Sequence, residues 1–162
     1  MTSDQRSAIS DQQAAIAAVA QVVDPEIPVL TIEDMGIVRR VEVTTDGVEV
    51  DITPTYSGCP AMDRIRDDIV EALTAAGFGP VNVQTVYSPA WTTDWMSEDG
   101  RRKLAAYGIA PPGLVGSAPA AALCPRCASE HTREVSEFGS TACKALMVCA
   151  SCGEPFDRFK EL

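Results

Sequence analysis

Histidine is almost missing from this chain: His131 is the only one in 162 residues. A single imidazole rules out metal centres built from several histidines and argues against a Ser–His–Asp triad. It also rules out a di-iron carboxylate site, which draws two Glu-x-x-His pairs from a helix bundle. Basic residues are scarce as well, 13 lysines and arginines against 23 aspartates and glutamates, for a net charge of −10. Such a field repels phosphate backbones and anionic lipid, so neither nucleic acid nor a membrane surface is expected as a partner. No apolar run approaches the roughly 20 residues that span a bilayer; near the front the longest is Ala14–Ala20. The N-terminal Met-Thr-Ser-Asp-Gln-Arg has no basic region followed by an apolar block, so a cytoplasmic protein is expected. Glycine-rich phosphate loops of the Rossmann or P-loop type are also lacking, which argues against bound flavin, NAD or ATP.

What remains is an ordinary globular composition, 46% apolar and 22% charged. The charge is uneven. Residues 1–123 carry 8 basic and 17 acidic side chains, whereas residues 124–162 carry 5 and 6. A first helix is expected after Ser10, whose spacing to Gln13 suits a capping box, with Ile16, Val19, Ala20 and Val23 on one face. Asp24-Pro25 ends it and opens a proline-rich loop. Val41 and Val43, then Val48, Val50 and Ile52, alternate as two strands around an Asp46-Gly47 turn. Pro60 starts a second helix with Ile65, Ile69 and Leu73 on one side and Gly77 as its stop. Val81–Val86 is a third strand, and a short helix is expected around Glu98–Tyr107, stopped by Gly108. The order α-β-β-α-β predicts a small α+β sandwich over residues 1–109. Residues 110–123, uncharged and made of alanine, proline and glycine with little else, are expected to be a linker to a C-terminal module, 124–162.

That module holds Cys124-x-x-Cys127 and Cys149-x-x-Cys152. Two knuckles of this kind bring four sulfurs onto one tetrahedral ion, at about 2.3 Å per Zn–S bond. So small a module has too little core to fold without such a staple. A zinc ribbon is the expectation, with iron in the same cage, as in a rubredoxin-like electron carrier, or redox dithiols as alternatives. Cys143 is left over, either as a small buried residue of the ribbon hairpin or as a transient fifth ligand or partner thiol. Cys59 stands apart at the start of the second helix, where unpaired N–H groups and the helix dipole are expected to lower a thiol pKa. It reads either as a functional thiol or as a buried structural one. Asp24 and Glu26 are candidate oxygen ligands beside it, or simply residues that fix the loop.

Three motifs in order, Asp24-Pro25-Glu26-Ile27-Pro28, Asp34-Met35-Gly36-Ile37-Val38 and Thr55-Tyr56-Ser57-Gly58-Cys59-Pro60, resemble the iron–sulfur assembly domains of SufT-like proteins. Ser88-Pro89-Ala90-Trp91-Thr92-Thr93-Asp94-Trp95, Phe138-Gly139-Ser140-Thr141-Ala142-Cys143-Lys144 and Cys149–Asp157 resemble the PaaD subunits of bacterial phenylacetyl-CoA epoxidase. The resemblance implies a non-catalytic accessory role in aerobic phenylacetate breakdown, maturing or inserting the Fe–S cluster of the partner reductase. It implies Cys59 as the residue handling iron or a transient cluster, zinc on the four ribbon cysteines, and the reductase and oxygenase subunits as partners. A purely structural subunit of the oxygenase complex is the competing reading. A homo-oligomer stays open.

Overall fold

Valines alternating on either side of a tight turn build the first sheet. β1 (Val38–Thr44) and β2 (Gly47–Ile52) pair antiparallel, with Thr44 opposite Gly47. Gly47 has φ +141°, and a Cβ there would overlap the carbonyl oxygen of Pro80. That oxygen accepts the Val48 N–H at 2.9 Å, so the missing side chain admits the strand that lies on the other side of β2. This third strand, β3 (Val81–Thr85), runs parallel to β2, as a crossover helix requires. The sheet order is β1-β2-β3. The computed structural model describes residues 3–116 and 121–162. They form two units that divide between Trp91 and Thr92.

In the first unit α1 (Ser3–Ala20) packs on β1, and α2 (Ala61–Ala75) packs on α1 and β3. Val48, Val50 and Ile52 of β2 and Ile65, Ile69 and Leu73 of α2 are fully buried or nearly so, as their periods of two and four predict. The first helix differs from expectation. It begins well before Ser10, and its buried face is Ala15 and Val19, continued by Val22 just past its end, while Ile16 and, beyond the helix, Val23 stand 44% and 45% exposed. The reason lies one turn earlier. The Gln12 side-chain amide donates to the Val41 carbonyl at 2.7 Å and accepts the Val43 N–H at 2.9 Å. It thus supplies hydrogen bonds that an edge strand would otherwise lack. With Gln12 fixed there, the positions at i+3, i+7 and i+10 turn inward. Trp91 closes the unit, buried, its indole N–H on the Met35 carbonyl at 2.8 Å.

In the second unit Ser97 caps α3 (Glu98–Tyr107) by accepting the Gly100 N–H at 2.9 Å, and Gly108 stops it in the left-handed region at φ +94°. The sheet order is β4-β7-β6-β5, from β4 (Ile109–Ala110), β5 (Thr132–Ser136), β6 (Lys144–Cys149) and β7 (Pro155–Phe159). Only the β4–β7 pair is parallel. The division expected at 109/110 therefore moves to 91/92. Ile109 and Ala110 register with Asp157 and Arg158, so they extend the ribbon sheet and take α3 with them. Nor is the start of the expected 110–123 linker free chain. Pro112 offers its carbonyl to the Arg101 guanidinium, the Gly113 N–H donates to Glu161 at 2.8 Å, and the Val115 N–H to Asp94 at 2.9 Å. Residues 117–120 of that stretch lie outside the described residues. Among the described residues no helix is long and apolar enough to cross a membrane.

Gly47→Ala should cost more than about 2 kcal/mol, since it combines backbone strain with a clash against main chain. Urea unfolding monitored on the first unit's tryptophan, Trp91, checks this; a loss under about 0.5 kcal/mol would contradict it.

Candidate metal and cluster-handling sites

Two loops converge on Cys59. The first follows α1. Asp24 Oδ1 accepts the N–H groups of Glu26 at 2.7 Å and Ile27 at 2.8 Å, which folds the chain tightly through Pro25. The Asp24 N–H donates to the Leu30 carbonyl at 2.8 Å, and the residue is 6% exposed. Asp34 and Thr31 bind each other's main-chain N–H, at 3.1 and 3.0 Å, and fasten the far end of this loop. The second loop leaves β2 at Thr53, whose N–H donates to the Ile37 carbonyl at 2.9 Å. It passes the buried Pro54 and tightens where the Cys59 N–H donates to Tyr56 at 3.1 Å. Pro60 occupies the position before the first residue of α2, so the helix begins one residue later than expected.

Cys59 is half-buried there. Burial pushes its thiol pKa above the ordinary 9, and the carboxylates of Glu26 and Asp24 push the same way. The Ala61 N–H and the Thr55 hydroxyl donate to the sulfur and pull it down, without winning. The expected depression at a helix start is thus present as one hydrogen bond and outweighed by desolvation and two acids. Arg64 and Arg66 do not offset this, being engaged by Asp68 at 2.8 Å and Asp63 at 2.7 Å. The structure brings Cys59, Asp24 and Glu26 into electrostatic reach, as their motifs suggest. It adds a threonine that spacing does not single out, Thr55; at the start of the same loop the Thr53 hydroxyl is buried with no hydrogen-bond partner among the described residues. A β-branched residue leaving a strand is too common to flag either.

The ribbon cysteines form the second site. Its two knuckles repeat one backbone pattern. The Cys124 carbonyl accepts the Ala128 N–H at 2.8 Å and its N–H donates to Ser129 at 3.0 Å; Cys149 does the same with Gly153 and Glu154, both at 2.9 Å. Ala128 and Gly153 both lie in the left-handed region, at φ +58° and +78°. Ser129 and Ser151 hydroxyls bond across the knuckles at 2.8 Å, and Arg126 pairs with Glu154. All four sulfurs fall within 4.8 Å of one another, with edges of 3.7 Å for Cys124–Cys152 and 3.6 Å for Cys127–Cys149. A tetrahedron with bonds of about 2.3 Å has edges of about 3.8 Å, so the donor set fits a tetrahedral thiolate-bound ion. Left to themselves the thiols compete for charge. Cys127, despite the Ser129 N–H donating to it, is pushed up to about 12 by its neighbours' sulfurs and by burial. Cys149, against the upward push of burial, is drawn down to about 6 by the N–H groups of Cys152 and Ser151 and by the adjacent thiols. Cys143 stays out of this group. It is 5% exposed, its sulfur 3.0 Å from the Thr141 hydroxyl, at the other end of β6 from Cys149. Six strand residues separate the two by about 20 Å.

Known proteins resemble both units. Residues 12–85 match a family model described as an iron–sulfur cluster assembly protein, and residues 110–160 one described as the PaaD zinc beta ribbon domain. The chain is 54% identical over 147 residues to a protein of Escherichia coli K12 named as a putative 1,2-phenylacetyl-CoA epoxidase subunit, with 89% of each chain covered. It is 38% identical over 85 residues to an Fe-S protein maturation auxiliary factor of Porphyromonas gingivalis, covering 51% of this chain and 80% of that one. A crystal structure titled as a domain of unknown function, DUF59, from Bacillus anthracis shares the fold, with a TM-score of 0.57 at 24% identity over 62% of this chain and 96% of that one.

Because the raised pKa leaves Cys59 protonated at neutral pH, it should alkylate more slowly at pH 7 than a cysteine in an unstructured peptide. Its rate should still climb beyond the ordinary thiol value of 9. Peptide mapping after timed iodoacetamide treatment of the metal-loaded chain reads this; a rate already level at about pH 8 would contradict it.

Proposed function

The chain belongs to the PaaD family of 1,2-phenylacetyl-CoA epoxidase subunits, and on that footing we propose that it is a cytoplasmic, non-catalytic accessory component of such a system. It delivers iron or a nascent Fe–S cluster to the partner reductase. The observation that carries this reading is the setting of Cys59: a half-open thiol with the Asp24 and Glu26 carboxylates in electrostatic reach. A carrier must accept its cargo and let it go. One soft sulfur beside hard oxygens offers a cation an incomplete set of ligands, which favours exchange over storage. The same acids that keep the resting thiol protonated attract a cation, whose arrival favours loss of the proton. The Ala61 N–H and the Thr55 hydroxyl then steady the sulfur's charge.

The ribbon has the opposite character. Cys124, Cys127, Cys149 and Cys152 would hold zinc in a saturated site with no open position, and the metal would supply folding free energy and no reaction step. A structural role in complex formation suits this unit. With one histidine in the chain, and that one outside the four-sulfur group and the residues around Cys59, neither site carries an imidazole for general acid–base work, which supports placing the oxygenation chemistry in other subunits.

Anaerobically purified chain should contain one zinc per molecule, lost when Cys152→Ser opens the cage. Cys59→Ser should keep the zinc and the fold yet leave the co-expressed reductase short of iron and acid-labile sulfide by at least about fivefold. Full cluster occupancy in cells carrying only Cys59→Ser would overturn the delivery role. Iron in place of zinc, with a reversible one-electron couple, would make the chain an electron carrier instead.

A further inference from the structure

We propose that the groove between the end of α1 and the outer side of α2 is the docking surface for a basic amphipathic helix of a partner protein, an inference that rests on the delivery reading above. The groove, of about 420 Å³, is lined by Val22 and Val23 from the segment just after the first helix and by Arg64, Asp68, Glu71 and Ala75 from the second helix. A second depression of about 480 Å³ adjoins it on the same helix, sharing Glu71 and Ala75 and adding Asp67 and Val70. Val23 and Val70, 45% and 37% exposed, are large apolar side chains left at the surface. The inner side of α2 cannot account for them, since Ile65, Ile69 and Leu73 already fill the core at 0% exposure.

Charge identifies the occupant. Among the described residues, three carboxylates, Asp67, Asp68 and Glu71, border the two depressions against a single cation, Arg64, whose Nε lies 2.8 Å from Asp68. The rim is therefore acidic by two charges. The whole first unit deepens this field: residues 1–91 carry 5 basic and 14 acidic side chains, a net of −9. A segment that buries its own apolar residues on Val23 and Val70 while presenting lysine or arginine to Asp67 and Glu71 satisfies both features at once. From Arg64 to Ala75 the helix rises about 17 Å, room for roughly three turns of a partner helix laid along it. Attraction over a Debye length would draw such a segment in quickly and would weaken with salt.

The test uses the full metal-loaded chain against the purified reductase and oxygenase subunits of its system, immobilised, with binding rates followed at about 50 and 300 mM salt. Wild type should bind one of them and lose at least about tenfold in affinity over that range. Asp67→Lys with Glu71→Lys should lose at least about tenfold at low salt, chiefly in association rate, while Cys59→Ser binds as wild type does. The milder pair Asp67→Asn and Glu71→Gln, expected to lose about threefold, serves if charge reversal disturbs folding. Equal binding by these variants, or binding indifferent to salt, overturns the docking surface and leaves the delivery reading standing. No binding by wild type to any of these proteins overturns the docking surface and the assigned partners together. A wild-type dimer that the charge-reversal pair converts to monomer would show that a second copy covers the groove, and would also overturn the proposal. Delivery itself fails by a different readout, full reductase cluster occupancy with Cys59→Ser.

Discussion

Four thiols held within 4.8 Å are an electrostatic problem before they are a structure. Ionising one raises the cost of ionising the next, and the spread between Cys149 at about 6 and Cys127 at about 12 expresses that competition. A divalent ion that replaces the protons removes it, and the knuckle backbones hold the sulfurs close to the edges such an ion requires. The rest of the second unit is arranged to keep them there. Two left-handed residues repeat one turn, a serine pair joins the two knuckles, and the Arg126–Glu154 pair closes over the outside. Cys124 and Cys149 double as core residues, packed with Ala110, Met147 and Phe156. Metal site and hydrophobic core are thus one object in this unit.

That economy explains why the unit is larger than its cysteine pattern suggests. A four-cysteine hairpin alone buries little apolar surface. Recruiting Ile109 and Ala110 as a parallel edge strand, with α3 behind them, adds Leu104 and Ile109 to the buried set. Lys144, 3% exposed and 3.7 Å from Asp157, works at the opposite end of β6 from the cysteines. The same carboxylate accepts the Ser140 hydroxyl at 2.5 Å, and a Cβ on Gly139 would overlap it. The hairpin is thereby fastened at both ends, by sulfur at one and by a buried ion pair at the other.

Where local chemistry decides the conformation, the sequence was legible. The Asp46-Gly47 turn, the period-four stripe of α2, the Glu98–Tyr107 span of α3 with its Gly108 stop and the two knuckles all follow from residues close in the chain. The errors arise where distant contacts decide. α1 carries two apolar stripes, and nothing local says that Gln12 will bind the edge of β1, 29 residues away, and so choose Ala15–Val19–Val22 over Ile16–Val23. The alanine–proline stretch has a linker's composition, yet its start is ordered by partners almost 50 residues on, Glu161 and Arg158 among them. The nearness of Cys59 to Asp24 and Glu26 was legible by motif, but the direction of its thiol pKa was not. Desolvation is a property of the folded surroundings, and here it reverses the sign that the helix start alone would give.

Those surroundings link the two thiol chemistries. A saturated cage of four sulfurs binds its ion strongly and exposes no coordination position, so it suits permanence. A single thiol beside two acids binds weakly and stays open, so it suits transfer. Placing the second kind in the more acidic unit has two effects with one cause. The net −9 carried by residues 1–91 raises the local concentration of cations at Cys59 and favours basic surfaces in any protein that approaches. A neutral unit with the same loops would hold the sulfur in the same geometry but would lose both advantages. The excess of acid that made nucleic acid and membrane surfaces unexpected partners is also what supports the role proposed for the one cysteine outside the ribbon.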